Sequence, residues 1–62
     1  MPNVLSGVVE EVGEGFILIS GRIRILVSSR VRPEGLAQGA RVTVTARLRG
    51  AEWVAEDVQV LG

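Results

Sequence analysis

The side chains able to do chemistry in this 62-residue chain are of two kinds, seven arginines and seven carboxylates, with no histidine, cysteine or tyrosine beside them. Without imidazole, thiol or phenol, the usual general bases, sulfur nucleophiles and soft metal ligands are missing. The carboxylates offer no replacement. Glu10 and Glu11 are neighbours in an extended segment and should point to opposite faces, as should Glu56 and Asp57 unless a bulge intervenes. The segment "GEGF" from Gly13 carries a GxG, but no lysine or helix follows to cradle a phosphate, so it reads as a hairpin turn. The expectation is a non-catalytic protein with no cofactor and no metal.

The arginines are grouped. All seven lie between Arg22 and Arg49, with Glu34 as the only acid among them, while the other six acids lie in the flanks and bring the formal net charge to zero. Zero net charge argues against general polyanion affinity, because counterion release needs cations facing the phosphates. The absence of lysine has two readings: codon bias, or selection for bidentate and stacking contacts that lysine cannot make. In "GRIRILVSSRVR", from Gly21 to Arg32, Arg22 and Arg24 alternate with isoleucines. Arg47 and Arg49 do the same with leucine in "ARVTVTARLR". Together these four form a candidate phosphate-tracking face, and Trp53 is the one available stacking group, although a core this small favours packing it over the barrel end.

Period-2 alternation recurs along the chain, and no segment keeps a helical period. Strands are expected at Val4–Val12, curling at Gly7, then Phe16–Ile19, Arg22–Val27, 40–49 and 52–61. A parity change near Glu56–Asp57 marks a bulge in the last. Pro33, Gly35 and Gly39 limit the connection before strand four to one short helical turn, with Leu36 plugging the core. If Ser20–Gly21 is a two-residue hairpin loop, Ile19 faces Arg22 and Leu18 faces Ile23. Phe16, Leu18, Ile23, Ile25 and Val27 then form the core face. Ile17, Ile19 and Leu26 share the outer face with Arg22 and Arg24, an apolar patch that a second copy would bury.

Five strands with curling glycines suit a closed barrel, which abolishes its edges. On "GVVEEV", "FILISGRIRILV", "GLAQGARVTV" and "WVAEDVQVL", the chain resembles an OB-fold, and in particular short bacterial OB-like β-repeat domains. An SH3-like barrel is the competing architecture, since no real helix separates strands three and four. The resemblance implies single-strand binding on the face of strands two and three. The reading is one all-β domain over residues 1–62, a five-stranded OB-like barrel. Its expected role is weak binding of single-stranded DNA or RNA through Arg22, Arg24, Arg47, Arg49 and Trp53. The alternative is a homo-oligomerisation or protein-interaction module using Ile17, Ile19 and Leu26. Cross-strand pairing of the arginines with Glu10, Glu11, Glu52 and Glu56 would instead make them structural. "MPNVLSGVVEE" lacks a signal peptide's basic start and apolar stretch, so the expected compartment is the cytoplasm, with no membrane partner. A small-ligand accessory barrel ranks third for that same lack.

Overall fold

Valine and isoleucine set at every second position become five strands in a computed structural model, which describes all of residues 1–62. They are β1 (Asn3–Gly13), β2 (Phe16–Ile19), β3 (Ile23–Leu26), β4 (Arg41–Arg49) and β5 (Glu52–Val60). They close into a barrel in the order β1-β2-β3-β5-β4, antiparallel at every seam but β3–β5, which is parallel. There is no helix. The connection from Ser28 to Ala40 is made of turns, and Val31, Leu36 and Ala40 from it pack against the core.

β1 serves two partners. Its first part, Asn3–Val8, pairs with β4, and its second, Val9–Gly13, pairs with β2. At the change-over every backbone group needs a new partner. The Val9 N–H donates to the Ala40 carbonyl at 2.8 Å, and the Val9 carbonyl accepts from the Gly39 N–H at 2.8 Å. The Val8 N–H, on the other side of the strand, donates to Ser20 Oγ at 2.8 Å. Gly7 makes that approach possible, because a Cβ there would lie 2.9 Å from the same hydroxyl oxygen.

The β2–β3 loop has three residues and not two. Ile19 pairs with Ile23, Leu18 with Arg24, Ile17 with Ile25 and Phe16 with Leu26, which leaves Ser20, Gly21 and Arg22 in the loop. Gly21 and Arg22 both take left-handed backbone conformations, φ 81° and 63°. For an arginine this costs about 1 kcal/mol or more. The cost is offset locally, since the Arg22 N–H donates to Glu10 Oε1 at 3.2 Å. One residue of register exchanges the faces of a strand. Ile17 and Ile19, expected outside as an oligomer interface, are therefore inside at 0% and 1% exposure. Phe16 and Leu18, expected inside, are on the outer face.

Two bulges bend the sheet. The β1–β2 register slips between Val9 and Glu11, and the β4–β5 register slips so that Thr45 faces Asp57 while Ala46 faces Ala55. In each case two apolar residues three apart reach the core, Val9 with Val12 and Ala55 with Val58, and the two acids between them stay outside. The bulge at Glu56–Asp57 is the expected one. That at Glu10 replaces the alternation expected for Glu10 and Glu11. The core, Val9, Ile17, Ile19, Ile25, Val27, Val42, Val44, Ala46, Ala55 and Val58, contains no polar side chain.

Truncating a fully buried isoleucine removes its transfer energy and leaves a cavity, at about 2–5 kcal/mol. For a chain of this length that is a large share of the whole stability. Ile17→Ala is expected to lower the urea midpoint far more than truncation of half-exposed Ile23. Equal effects would contradict the observed register.

Candidate functional site

The outer face of β2 and β3, where a binding surface was expected, is a line of stacked groups crossing four strands. At its β1 end the Phe16 ring lies on the backbone of Gly13, so closely that a Cβ on Gly13 would overlap the ring carbons Cε1 and Cζ. Arg24 lies over the ring, its guanidinium carbon 4.9 Å from the centroid, at cation–π distance. Arg24 Nη1 reaches across to β5 and donates to Glu52 Oε2 at 3.4 Å. Leu18 is buried on this face, and Leu26 beside Phe16 is half-buried. Of the patch that seemed to require a second copy, Ile17 and Ile19 are in the core and only Leu26 stands on this face.

The remaining residues expected to bind nucleic acid do not gather. Arg47 is ion-paired through Nε with Glu56 Oε2, between β4 and β5. Arg22 sits in the β2–β3 loop and Arg49 at the end of β4. Both are exposed. Trp53 pairs in register with Leu48 on one side and Ile25 on the other, and packs half-buried against the core. The two ion pairs match the cross-strand pairing that would make the arginines structural. Arg24 and Glu52 are 54% and 58% exposed, so their pair contributes only a few tenths of a kcal/mol to about 1 kcal/mol.

The molecule has one recess, which the sequence did not single out. It lies where β1 meets the start of β4, lined by Ser6, Gly7, Val8, Arg41, Val42 and Leu61, with a volume of about 210 Å³. Pairing puts the elements there: Gly7 faces Val42 and Val8 faces Arg41. The chain after β5 closes the rim, as the Leu61 N–H donates to the Arg41 carbonyl at 2.7 Å and the Arg41 N–H to Gly62 O at 3.0 Å. Val8 and Leu61 present exposed apolar side chains. Arg41 takes part in neither of the chain's ion pairs. Gly7, the residue without a side chain in the middle of a valine-rich strand, is the sequence feature that could have pointed here.

Order, closure and strand number together define an OB-like five-stranded barrel, as the sequence led one to expect. No protein-family model and no curated protein matches the chain. Among solved structures it is similar to apo-CusF residues 6–88 from Escherichia coli, at 18% identity and a TM-score of 0.77, over 100% of this chain and 92% of that one. At that identity the likeness shows the fold.

These findings correct the expected function and partners. A nucleic-acid face of Arg22, Arg24, Arg47, Arg49 and Trp53 does not stand, because two of the arginines are ion-paired to acids, the only phenylalanine is capped by Arg24, and Trp53 belongs to the core packing. An oligomerisation face of Ile17, Ile19 and Leu26 does not stand, because the register buries the two isoleucines. The exclusion of a metal is withdrawn too. It rested on missing histidine and cysteine, whereas carboxylates, backbone carbonyls and the Met1 thioether are also metal ligands. The acids here do not cluster in threes, so a cation would need backbone or water oxygens as well.

Adding a methyl at Gly13 must expel the Phe16 ring and break the line from Gly13 to Glu52. Gly13→Ala is expected to cost about 1–3 kcal/mol in urea unfolding, the range for overpacking. An unchanged midpoint would show that Phe16 does not rest there.

Proposed function

We propose that the chain is a non-catalytic accessory barrel that carries a small ligand on its outer surface, in the recess between β1 and β4. The observation that carries this reading is Arg41, a guanidinium without an ion-pair partner on the rim of the one recess in the molecule. The interior cannot serve, since it is filled by Ile17, Ile19, Ile25 and four valines at under 2% exposure. A volume of about 210 Å³ is smaller than the roughly 300–1,000 Å³ of drug-sized sites. The ligand is correspondingly small.

A recess lined by both Arg41 and Ser6 suits a carboxylate or a phosphate, which the guanidinium can engage through paired N–H donors. Val8 and Leu61 offer apolar walls to a short aliphatic portion. The favoured ligand is thus a small acid with a short apolar part. That a barrel of this architecture has been described in an apo form supports the ligand-carrying role. Catalysis is not part of the reading, because no histidine, cysteine or tyrosine is available to move a proton or attack a substrate.

Thermal unfolding with a panel of short aliphatic acids, phosphate monoesters and mono- and divalent metal ions tests this. A ligand at about a hundred times its Kd adds about 2.7 kcal/mol, which for a domain of this size is roughly ten degrees or more in Tm. At least one acid is expected to give such a shift, and Arg41→Gln to remove it while leaving the unliganded Tm unchanged. No shift with any acid would overturn the reading. So would a shift given by a metal ion alone and kept by Arg41→Gln, which would place the ligand elsewhere.

A further inference from the structure

The seams of this barrel are unequal. β4 and β5 share eight register pairs and β1 and β4 six, while β1–β2 and β2–β3 share four each. The parallel seam between β3 and β5 has two, Ile25 with Trp53 and Leu26 with Val54. Parallel pairing is also slightly the weaker kind per residue. A single polar side-chain link crosses the seam, the Arg24–Glu52 pair at 3.4 Å. The Arg24 end of that link is held on its own side by the Phe16 ring, which itself rests on Gly13. The Glu52 end makes no other hydrogen bond through its side chain.

We propose that the β3–β5 seam is a built-in opening of the barrel and that Arg24 is its latch. Opening breaks two register pairs and one exposed ion pair, and it leaves the other four seams intact. Such a unit can open below the cost of global unfolding. When it opens, Arg24 keeps its place over Phe16, because both stand on the β2–β3 hairpin, so the latch is preformed and needs only Glu52 to return. Trp53 and Ile25, which face each other across the seam, gain exposure. Because the latch is an exposed ion pair, salt screens it, and the open fraction rises with ionic strength. The seam lies away from the Ser6–Arg41 recess, so this inference stands or falls independently of the ligand reading.

Native-state hydrogen exchange tests it on wild type, Glu52→Gln and, as a control on the other ion pair, Glu56→Gln, at low and high salt. The amides of β3 and β5 that are hydrogen-bonded across their shared seam are expected to exchange through a cheaper opening than those of Val42–Ala46, while β3 amides bonded to β2 stay protected. Glu52→Gln should speed the seam amides about two- to fivefold, the worth of an exposed ion pair, and leave those of Val42–Ala46 unchanged. Acrylamide quenching of Trp53 should rise in step. Salt should reproduce the effect in wild type and add nothing in Glu52→Gln, and Glu56→Gln should leave the seam amides as they are. Joint exchange of the seam amides and β4 through one opening would overturn the proposal, as would an equal effect of Glu52→Gln on both. If Glu52→Gln folds poorly, the salt dependence of seam exchange in wild type tests the latch by itself, and protection of the seam amides that does not fall with salt contradicts the latch.

Discussion

The hydrogen bond from the Val8 N–H to Ser20 Oγ, made in the space that Gly7 leaves empty, is the contact on which the other features of this barrel depend. It stands where β1 exchanges one partner for another, and a strand that did not bend there could not close the barrel. By tying Ser20 to β1 it also fixes where β2 ends. Ser20 becomes the first residue of a loop that must then spend three residues before β3 begins. Arg22 is driven into a left-handed conformation as a result, and Glu10, pushed outward by its bulge, accepts its N–H.

From that loop follows the allocation of faces. The register puts Ile17, Ile19 and Ile25 in the core and turns Phe16, Leu18, Arg24 and Leu26 to the outer face, where Leu18 is nevertheless buried. The alternative register buries residues of similar hydrophobicity, so apolar burial alone does not choose between the two. The choice is made by what the outer residues find. Phe16 finds a glycine backbone and a guanidinium against its ring, and Arg24 finds a carboxylate on β5. Two of the four arginines that looked like a ligand surface in the linear sequence, Arg24 and Arg47, are lateral ties between strands, whereas Arg41, which the alternation in β4 made unremarkable, stands at a recess without an ionic partner.

Much of this was legible in the sequence. Period-2 alternation located five strands, Pro33, Gly35 and Gly39 limited the connection to at most one short helical turn, of which none forms, and Leu36 packs against the core as expected. The parity change at Ala55–Val58 announced its bulge correctly. The same signature, an acid pair between apolar residues, occurs at Val9–Val12, where alternation was assumed in its place. The loop length was not legible, because Ser-Gly is a good two-residue turn by local preference and the bond that overrides it joins residues twelve apart. An error of one residue there was enough to exchange core for surface on β2, and with it the supposed interface of Ile17 and Ile19. The recess was hidden for a related reason, as it arises from β1, β4 and the tail after β5 meeting in space.

The core, the lateral line from Gly13 to Glu52 and the weak β3–β5 seam all follow from the pairing of β2 with β3. Cross-strand nuclear Overhauser contacts between the backbone protons of the two strands measure that pairing directly. Contacts linking Ile17 with Ile25 and Leu18 with Arg24 are the predicted result. Contacts linking Ile17 with Arg24 and Leu18 with Ile23 would mean a two-residue loop, return Ile17 and Ile19 to the surface, and contradict the account.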